Sequence, residues 1–427
     1  MISKTIMASV IVLLIGVSAG AADNAKCLMC HSASGFSNVK SGKQVSLHVE
    51  AEQFASSVHA GKSCVDCHTD FKGQSFPHKQ NAETVDCTRC HHIGNKSGAP
   101  SITPMTQYGD SVHGMARKHG DKDAPTCKDC HGTHGIRAPS DPKSSVSRVN
   151  IAETCGKCHL DSNITGRHTT NMPTPAKIKL YRDSVHGKAI RNQGLTAAAV
   201  CTDCHGVHNI KPASQAGSTV SKMLVPETCG KCHKQLFKVY QGSIHGQALA
   251  KGIKDAPACT DCHGEHTIQR PTEPASSVYP THVVATCSKC HENVRIEREY
   301  GLPAHRLSTY IASYHGVANK YGDTTVANCA TCHTAHDIRP SSDPKSAINK
   351  ANLPHTCGKC HPNAGANFAK GSIHVSPTKE KDVGVYWVRK FYTAFIVLLI
   401  GSFCGYIVLD LLSRWRRRSG RGGRHER

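Results

Sequence analysis

Ser111-Val-His113, then Cys127-Lys-Asp-Cys130-His131-Gly-Thr-His134-Gly-Ile136, then Thr154-Cys155-Gly-Lys-Cys158-His159 is the stretch that decides how the chain is read. The same elements return around Ser184 and Cys201, around Ser243 and Cys259, and around Ser313 and Cys329. Within each return the first cysteines of the two motifs stand 28 residues apart, at 127 and 155, 201 and 229, 259 and 287, and 329 and 357. Between returns the gaps are 46, 30 and 42. A fixed spacing inside and a variable one outside identifies a repeating unit of two sites. A looser version runs through His59, Cys64, His78 and Cys87, with one further motif at Cys27 in front.

Eleven Cys-x-x-Cys-His motifs result. Their first cysteines are Cys27, Cys64, Cys87, Cys127, Cys155, Cys201, Cys229, Cys259, Cys287, Cys329 and Cys357. Their second cysteines are Cys30, Cys67, Cys90, Cys130, Cys158, Cys204, Cys232, Cys262, Cys290, Cys332 and Cys360. The motifs consume 22 of the 23 cysteines and leave Cys404 in an apolar run. Zinc ribbons use Cys-x-x-Cys in pairs, and eleven is odd. Neither zinc nor thiol redox chemistry requires a histidine after every second cysteine. Attachment of c-type haem does. The pattern therefore predicts eleven covalently attached haem c groups, each held through thioethers to both cysteines of its motif. His31, His68, His91, His131, His159, His205, His233, His263, His291, His333 and His361 are the expected proximal iron ligands.

An iron in such a group takes a second protein ligand for electron transfer or keeps an open face for chemistry. Seven methionines, two of them in the first seven residues, are too few. Histidine suffices, in two recurring contexts. One is Ser-x-His: His59, His113, His186, His245, His315 and His374. The other stands three residues past a proximal histidine: His134, His208, His266 and His336, with His78 in Phe76-Pro-His78 as a displaced version. Together they number eleven distal candidates. A histidine at +3 is tethered too closely to reach the far side of its own site, so it is expected to serve an adjacent one. The Gly that usually follows Ser-x-His is expected to let backbone approach a porphyrin closely. His92 rivals His78, while His48, His119, His168, His282, His305, His355 and His425 are expected in surface or supporting roles.

Both ends carry membrane signals. Residues 1–22 pair a single Lys4 with an apolar run and then small residues, the layout of a secretory signal peptide cleaved after Ala21 or Ala22. Residues 391–409 are uncharged and would span about 28 Å as a helix, enough to cross a bilayer. Arg414, Arg416, Arg417 and Arg418 follow, which predicts a cytoplasmic tail over 410–427 and a haem domain in the periplasm. The net charge of +21 falls to +15 on the exported part once Lys4, the tail's seven arginines and Glu426, and Asp410 are set aside. Eleven haems would bring 22 propionates to balance it, so no nucleic-acid partner is expected. Between the ends the sequence suggests a three-haem module over 23–93, a Gly/Pro/Ser-rich linker over 94–104, and an eight-haem module of four two-haem repeats over 105–380. With only 5% aromatic residues, the fold class expected is mostly irregular chain with short α-helices and little or no sheet, plus one C-terminal transmembrane helix.

Ser-Val-His-Gly, Cys-x-Asp-Cys-His-Gly-x-His and Thr-Cys-Gly-Lys-Cys-His together resemble the doubled-motif multihaem cytochromes of metal- and sulfate-reducing bacteria, over residues 57–374. Cys87-Thr-Arg-Cys90-His91-His92 is similar to the doubled histidine of class III cytochromes c. The approach to the membrane, Tyr386-Trp-Val-Arg-Lys-Phe-Tyr392, resembles the junction where some relatives of inner-membrane quinone-linked complexes continue into a b-type membrane domain; here a single apolar stretch follows. The resemblance implies low-potential bis-histidine haems relaying electrons between the inner-membrane quinone pool, through a separate b-type or other quinone-reactive membrane subunit, and periplasmic cytochromes or outer-membrane acceptors in anaerobic respiration. The alternative is a reductase or oxidase of a small nitrogen or sulfur compound with one open haem. No catalytic residue is assigned on the first reading.

Overall fold

The computed structural model describes residues 19–40, 42–78, 82–100, 104–168, 175–371, 373–375, 378, 380 and 382–421. Most of the expected signal peptide, the end of the linker, residues 169–174 and the tail beyond Arg421, with His425, lie outside them.

Short helices joined by irregular chain make up the fold. Apart from Ala19–His31 and Val383–Arg421, every described helix has nine residues or fewer. Among the described residues the one sheet is an antiparallel ribbon pairing Ser37–Lys40 with Lys43–Ser46. The chain divides into two compact units. One comprises the chain to Gln241 with His245–Arg270; the other comprises Gly242–Ile244 with the chain from Pro271 onward.

Apolar burial is sparse. In the first unit Ile151, Ile190, Ala198 and Val200 form one small cluster, and Val225, Leu249, Ala256 and Ala258 another. Val200 apart, the most completely buried side chains are serines: Ser111, Ser184, Ser218, Ser243, Ser276 and Ser346. A buried hydroxyl must be hydrogen-bonded or it costs stability. Ser111 and Ser184 donate to the carbonyls of Tyr108 and Tyr181, both at 2.7 Å. Ser144, Ser218 and Ser346 donate to the carbonyls of Arg137, Lys211 and Arg339 at 3.1–3.2 Å, closing the Ser-rich turn between paired motifs. Hydroxyl-to-backbone bonds thus fix loops that a conventional protein would hold with apolar contacts.

One backbone bond recurs between neighbouring repeats. The amides of Val58, Val112 and Val185, each between Ser and His of a Ser-x-His, donate to the carbonyls of Ile136, Ile210 and Ile268 at 2.8–2.9 Å. In the second unit Ile244 donates likewise to Ile338 at 2.8 Å. Every acceptor stands two residues past a +3 histidine, so each bond brings the two histidine contexts into one register.

The glycine after Ser-x-His makes a close approach inside the chain itself. A Cβ on Gly114, Gly187, Gly246 or Gly316 would meet the carbonyl oxygen of Tyr108, Tyr181, Tyr240 or Tyr310 at 1.9–2.1 Å. The close approach is to the end of the preceding helix within the same chain.

Helix Val383–Arg421 is long and apolar enough to cross a membrane, and none of its apolar window is buried. It begins before and ends after residues 391–409, because neither flank contains proline and Arg414 pairs with Asp410 one turn back at 2.8 Å. At 39 residues it reaches about 58 Å.

Replacing Gly187 with Ala should destabilise the holoprotein by about 1–3 kcal/mol through overpacking, lowering its melting temperature. Gly166→Ala, in a helix with open space around the added methyl, should be neutral or slightly stabilising in the same thermal scan.

Candidate functional site

Cys127–His131, Cys201–His205, Cys259–His263 and Cys329–His333 are single helical turns. The aspartate of Cys-x-Asp-Cys-His starts them: the amides of Thr126, Val200 and Ala258 donate to Asp129, Asp203 and Asp261 at 2.6–2.7 Å. Ser63 and Asp66 do the same at 2.8 Å, and Asn328 with the Thr331 hydroxyl at 3.2 Å. This is the backbone half of a capping box. Gly132, Gly206, Gly264 and Thr334 then take φ between +66 and +82°, ending the turn and sending the +3 histidine away from its own site.

The second motif of each repeat lies at the end of a helix, as in Ile151–His159 and Val283–His291, or runs across that end, as at Val225–Gly230 and Leu353–Gly358. Its preceding threonine anchors it: Thr154, Thr228, Thr286 and Thr356 donate to the carbonyls of Ser145, Thr219, Ser277 and Ala347 at 2.6–2.7 Å. Ser145 and Thr219 in turn donate to the carbonyls of Cys130 and Cys204 at 2.5 Å, joining the second site to the first.

Each Ser-x-His in the regular repeats opens a helix. Ser111, Ser184 and Ser313 accept from the amides of Gly114, Gly187 and Gly316 at 3.0–3.2 Å, the bond of an N-cap. A tyrosine three residues before each serine is a contributor that the motif reading passes over. The hydroxyls of Tyr108, Tyr181, Tyr240 and Tyr310 donate to the carbonyls of Pro125, Ala199, Pro257 and Ala327, each two residues before a motif cysteine, at 2.5–2.9 Å. The signal was available: Tyr-x-x-Ser-x-His occurs four times in a chain with 11 tyrosines.

These anchors bring the histidines together in pairs. Ring centres lie 6.1 Å apart in His31/His78, 6.0 Å in His59/His91, 6.2 Å in His68/His134 and 6.3 Å in His113/His159. They lie 6.1 Å apart in His131/His208, 6.3 Å in His186/His233 and 6.0 Å in His205/His266. In the second unit the spacing is 6.1 Å for His315/His361 and 6.4 Å for His333/His374. Every pair joins one motif histidine to one distal candidate. Ser-x-His meets the second motif of its own repeat, and the +3 histidine meets the first motif of the repeat before. His374, with no later repeat to follow, stands beside His333. His245 and His263 belong to the first unit, His291 and His336 to the second.

An imidazole nitrogen sits about 2 Å from a first-row metal and the ring centre about 1 Å beyond, so two rings on opposite sides of one metal have centres about 6 Å apart. A direct N–H···N hydrogen bond would shorten this to about 5 Å. The pairs fit a shared metal. His31 Nδ1 donates to the Leu47 carbonyl at 2.8 Å, which leaves Nε2 as the nitrogen that could ligate a metal. His374 is held similarly: Thr309 gives its proton to the His305 carbonyl, so its oxygen accepts from His374 Nδ1 at 3.0 Å. Burial lowers the pKa of His68, His113, His131, His134 and His205, and pushes His159 down to about 4 with His113 adding to the effect. Neutral imidazoles keep the lone pair that a metal requires.

Cysteines of successive sites also meet. Cys27 with Cys64, Cys87 with Cys127, Cys155 with Cys201, Cys229 with Cys259, and Cys287 with Cys329 are in side-chain hydrogen-bond contact. Within repeats, Cys130 and Cys204 feel Cys155 and Cys229 nearby; burial and these neighbours push both up to about 11. Sites adjacent in sequence are therefore adjacent in space within each compact unit.

The two cysteines of a motif, alike in the sequence, differ in the structure. All eleven first cysteines are half-buried, whereas Cys30, Cys67, Cys232 and Cys360 among the second ones are exposed. The backbone accounts for two of these four: Cys232 and Cys360 lie just past Val225–Gly230 and Leu353–Gly358. There the chain tightens, the amides of Cys232 and Cys360 donating three residues back to the carbonyls of Cys229 and Cys357 at 3.3 and 3.2 Å. Cys262 and Cys290 stay within their helices, Cys259–His263 and Val283–His291, and are half-buried, as are Cys90, Cys158 and Cys332. Contacts between successive sites run through first cysteines from one repeat to the next, and through Cys130 and Cys204 within a repeat.

The remaining histidines find other partners. His92 donates from Nδ1 to the Ile93 carbonyl at 2.9 Å, and His282 to that of Ser276 at 2.8 Å. His48 pairs with Glu50 at 2.8 Å. Asp121, Asp123 and His168 cluster closely enough for a metal, but Arg167 lies 2.8 Å from Asp123 and neutralises it. No protein-family model, curated protein or solved structure matches the chain.

Tyr181→Phe removes one hydroxyl bond and should cost about 1 kcal/mol. Chemical denaturation should show a lower midpoint with an unchanged slope, and combining it with Ser184→Ala should give a non-additive loss, since both hold one helix start.

Proposed function

We propose that the chain is a membrane-anchored, periplasmic undecahaem c-type cytochrome that relays electrons between the inner-membrane quinone pool and periplasmic or outer-membrane redox partners. The observation that carries this reading is the set of nine histidine pairs at 6.0–6.4 Å, each drawing one ring from a Cys-x-x-Cys-His motif. The two cysteines of each motif would hold the group covalently, and the motif histidine and its paired histidine would be the residues that ligate its iron. Haem, when bound, supplies the one-electron iron chemistry; the protein contributes ligation, orientation and burial. A bis-histidine site offers no open position for a small substrate, and it lacks the thioether ligand that raises potential. That favours a relay over a reductase.

The adjacency of successive sites supports a path for electrons along each unit. The basic excess is the counterpart of the propionates. The helix Val383–Arg421 supports anchoring, and its arginine-rich end, with the expected signal peptide, supports a periplasmic body and a cytoplasmic C-terminus. A single helix supplies no quinone pocket of its own, so a separate b-type or other quinone-reactive membrane subunit is part of the reading.

Mass spectrometry of the chain purified from membranes should count eleven covalent haems, and the reduced protein should fail to bind CO rapidly. A haem-free chain sinks the reading; rapid CO binding or a high-spin ferric signal favours the reductase instead. Ending the chain before Val383 should release a fully haem-loaded protein into the soluble periplasmic fraction.

A further inference from the structure

The planes of the paired rings fall into two groups. Where the distal partner is of the +3 kind (His78, His134, His208 or His266), the rings are inclined by 10–32°. Where it is a Ser-x-His histidine (His59, His113, His186, His315 or His374), they are inclined by 48–71°. The groups do not overlap. His333 is the internal control. It lies in a first-type motif, whose fellows His131 and His205 have +3 partners at 20° and 11°, yet its own partner is His374 and its angle is 48°.

We infer that the chain builds two electronically distinct kinds of iron site, and that the class of the distal histidine, not the cysteine motif, decides which kind forms. The inference rests on the haem reading above. Backbone geometry is the cause. Three of the Ser-x-His rings (His113, His186 and His315) leave the first turn of a helix whose direction is set by the serine cap. The +3 rings of His134, His208 and His266 leave irregular chain two residues before the isoleucine whose carbonyl is clamped by a neighbouring repeat. Each backbone imposes its own ring rotation.

Ring rotation reaches the metal through π overlap. Two near-parallel imidazoles act on the same iron d orbital and split the dxz and dyz pair widely. Crossed imidazoles act on both and leave the pair close in energy. In chain order the sites of His68, His91, His131, His159, His205 and His233 alternate between near-parallel and crossed. An electron moving from the His68 site to the His233 site thus passes through the two kinds in turn, whereas the His31 and His68 sites are both near-parallel.

Low-temperature electron paramagnetic resonance of the fully oxidised holoprotein tests this. The expected spectrum contains a rhombic low-spin signal with three resolved g values and a separate signal with one large g value. His208→Ala and His266→Ala should each deplete only the rhombic signal; His113→Ala and His186→Ala should each deplete only the large-g signal. A single class of low-spin signal in the unsubstituted protein, or depletion of one signal by both sets of variants, overturns the inference. Mass spectrometry on the same samples separates the failures. Eleven haems with one signal overturn this inference alone, whereas a chain without haem overturns the proposed function with it.

Discussion

Ser184 donates its proton to the Tyr181 carbonyl and accepts from the Gly187 amide, and those two bonds fix the direction in which His186 leaves the chain. The same arrangement holds at Ser111 and Ser313. Everything else in a repeat is arranged around it. The tyrosine that lends its carbonyl to the serine sends its hydroxyl to the start of the next cysteine turn, and the glycine that donates to the serine has no room for a side chain. With so few buried apolar groups, the chain is organised by satisfying its backbone locally, with hydroxyl groups where larger domains use aliphatic ones.

Much of this was legible in the sequence. The 28-residue spacing, the eleven motifs and the two histidine contexts are all properties of residue type and position, and the scarcity of sheet follows from composition. What the sequence could not say was which histidine faces which. That depends on the bonds from Val112 to Ile210 and from Val185 to Ile268, which are made by backbone groups and leave no mark in side-chain chemistry. What the glycine after Ser-x-His lies against is silent in the sequence for a related reason. A requirement for glycine reveals that something is close, but not what. The different exposure of Cys229 and Cys232 is equally silent in a motif that names both alike, since it follows from where the helix ends. The aspartate in Cys-x-Asp-Cys-His reads as part of a motif, although its physical role as a helix start was available from its position three residues after the cap.

The apolar helix illustrates the opposite limit. Composition located its centre, residues 391–409, but charged residues at its edges concealed its length. Lys390 and Arg414 are good helix formers, and hydrogen bonding continues through them to both ends. Hydropathy reads the solvent a segment prefers; helix length follows from backbone continuity.

The repeats opened by Ser111, Ser184 and Ser243 lend, within the first unit, His134, His208 and His266 backward to the one before, and offer the carbonyls of Ile136, Ile210 and Ile268 to the same neighbour. Because every lender is built alike, a chain with this register can gain or lose a whole repeat and still match its new neighbours, provided the last repeat has a substitute for the histidine that no successor supplies. His374, beside His333, is that substitute. The terminal segment thus closes the array with a ring that no repeat of its own supplies.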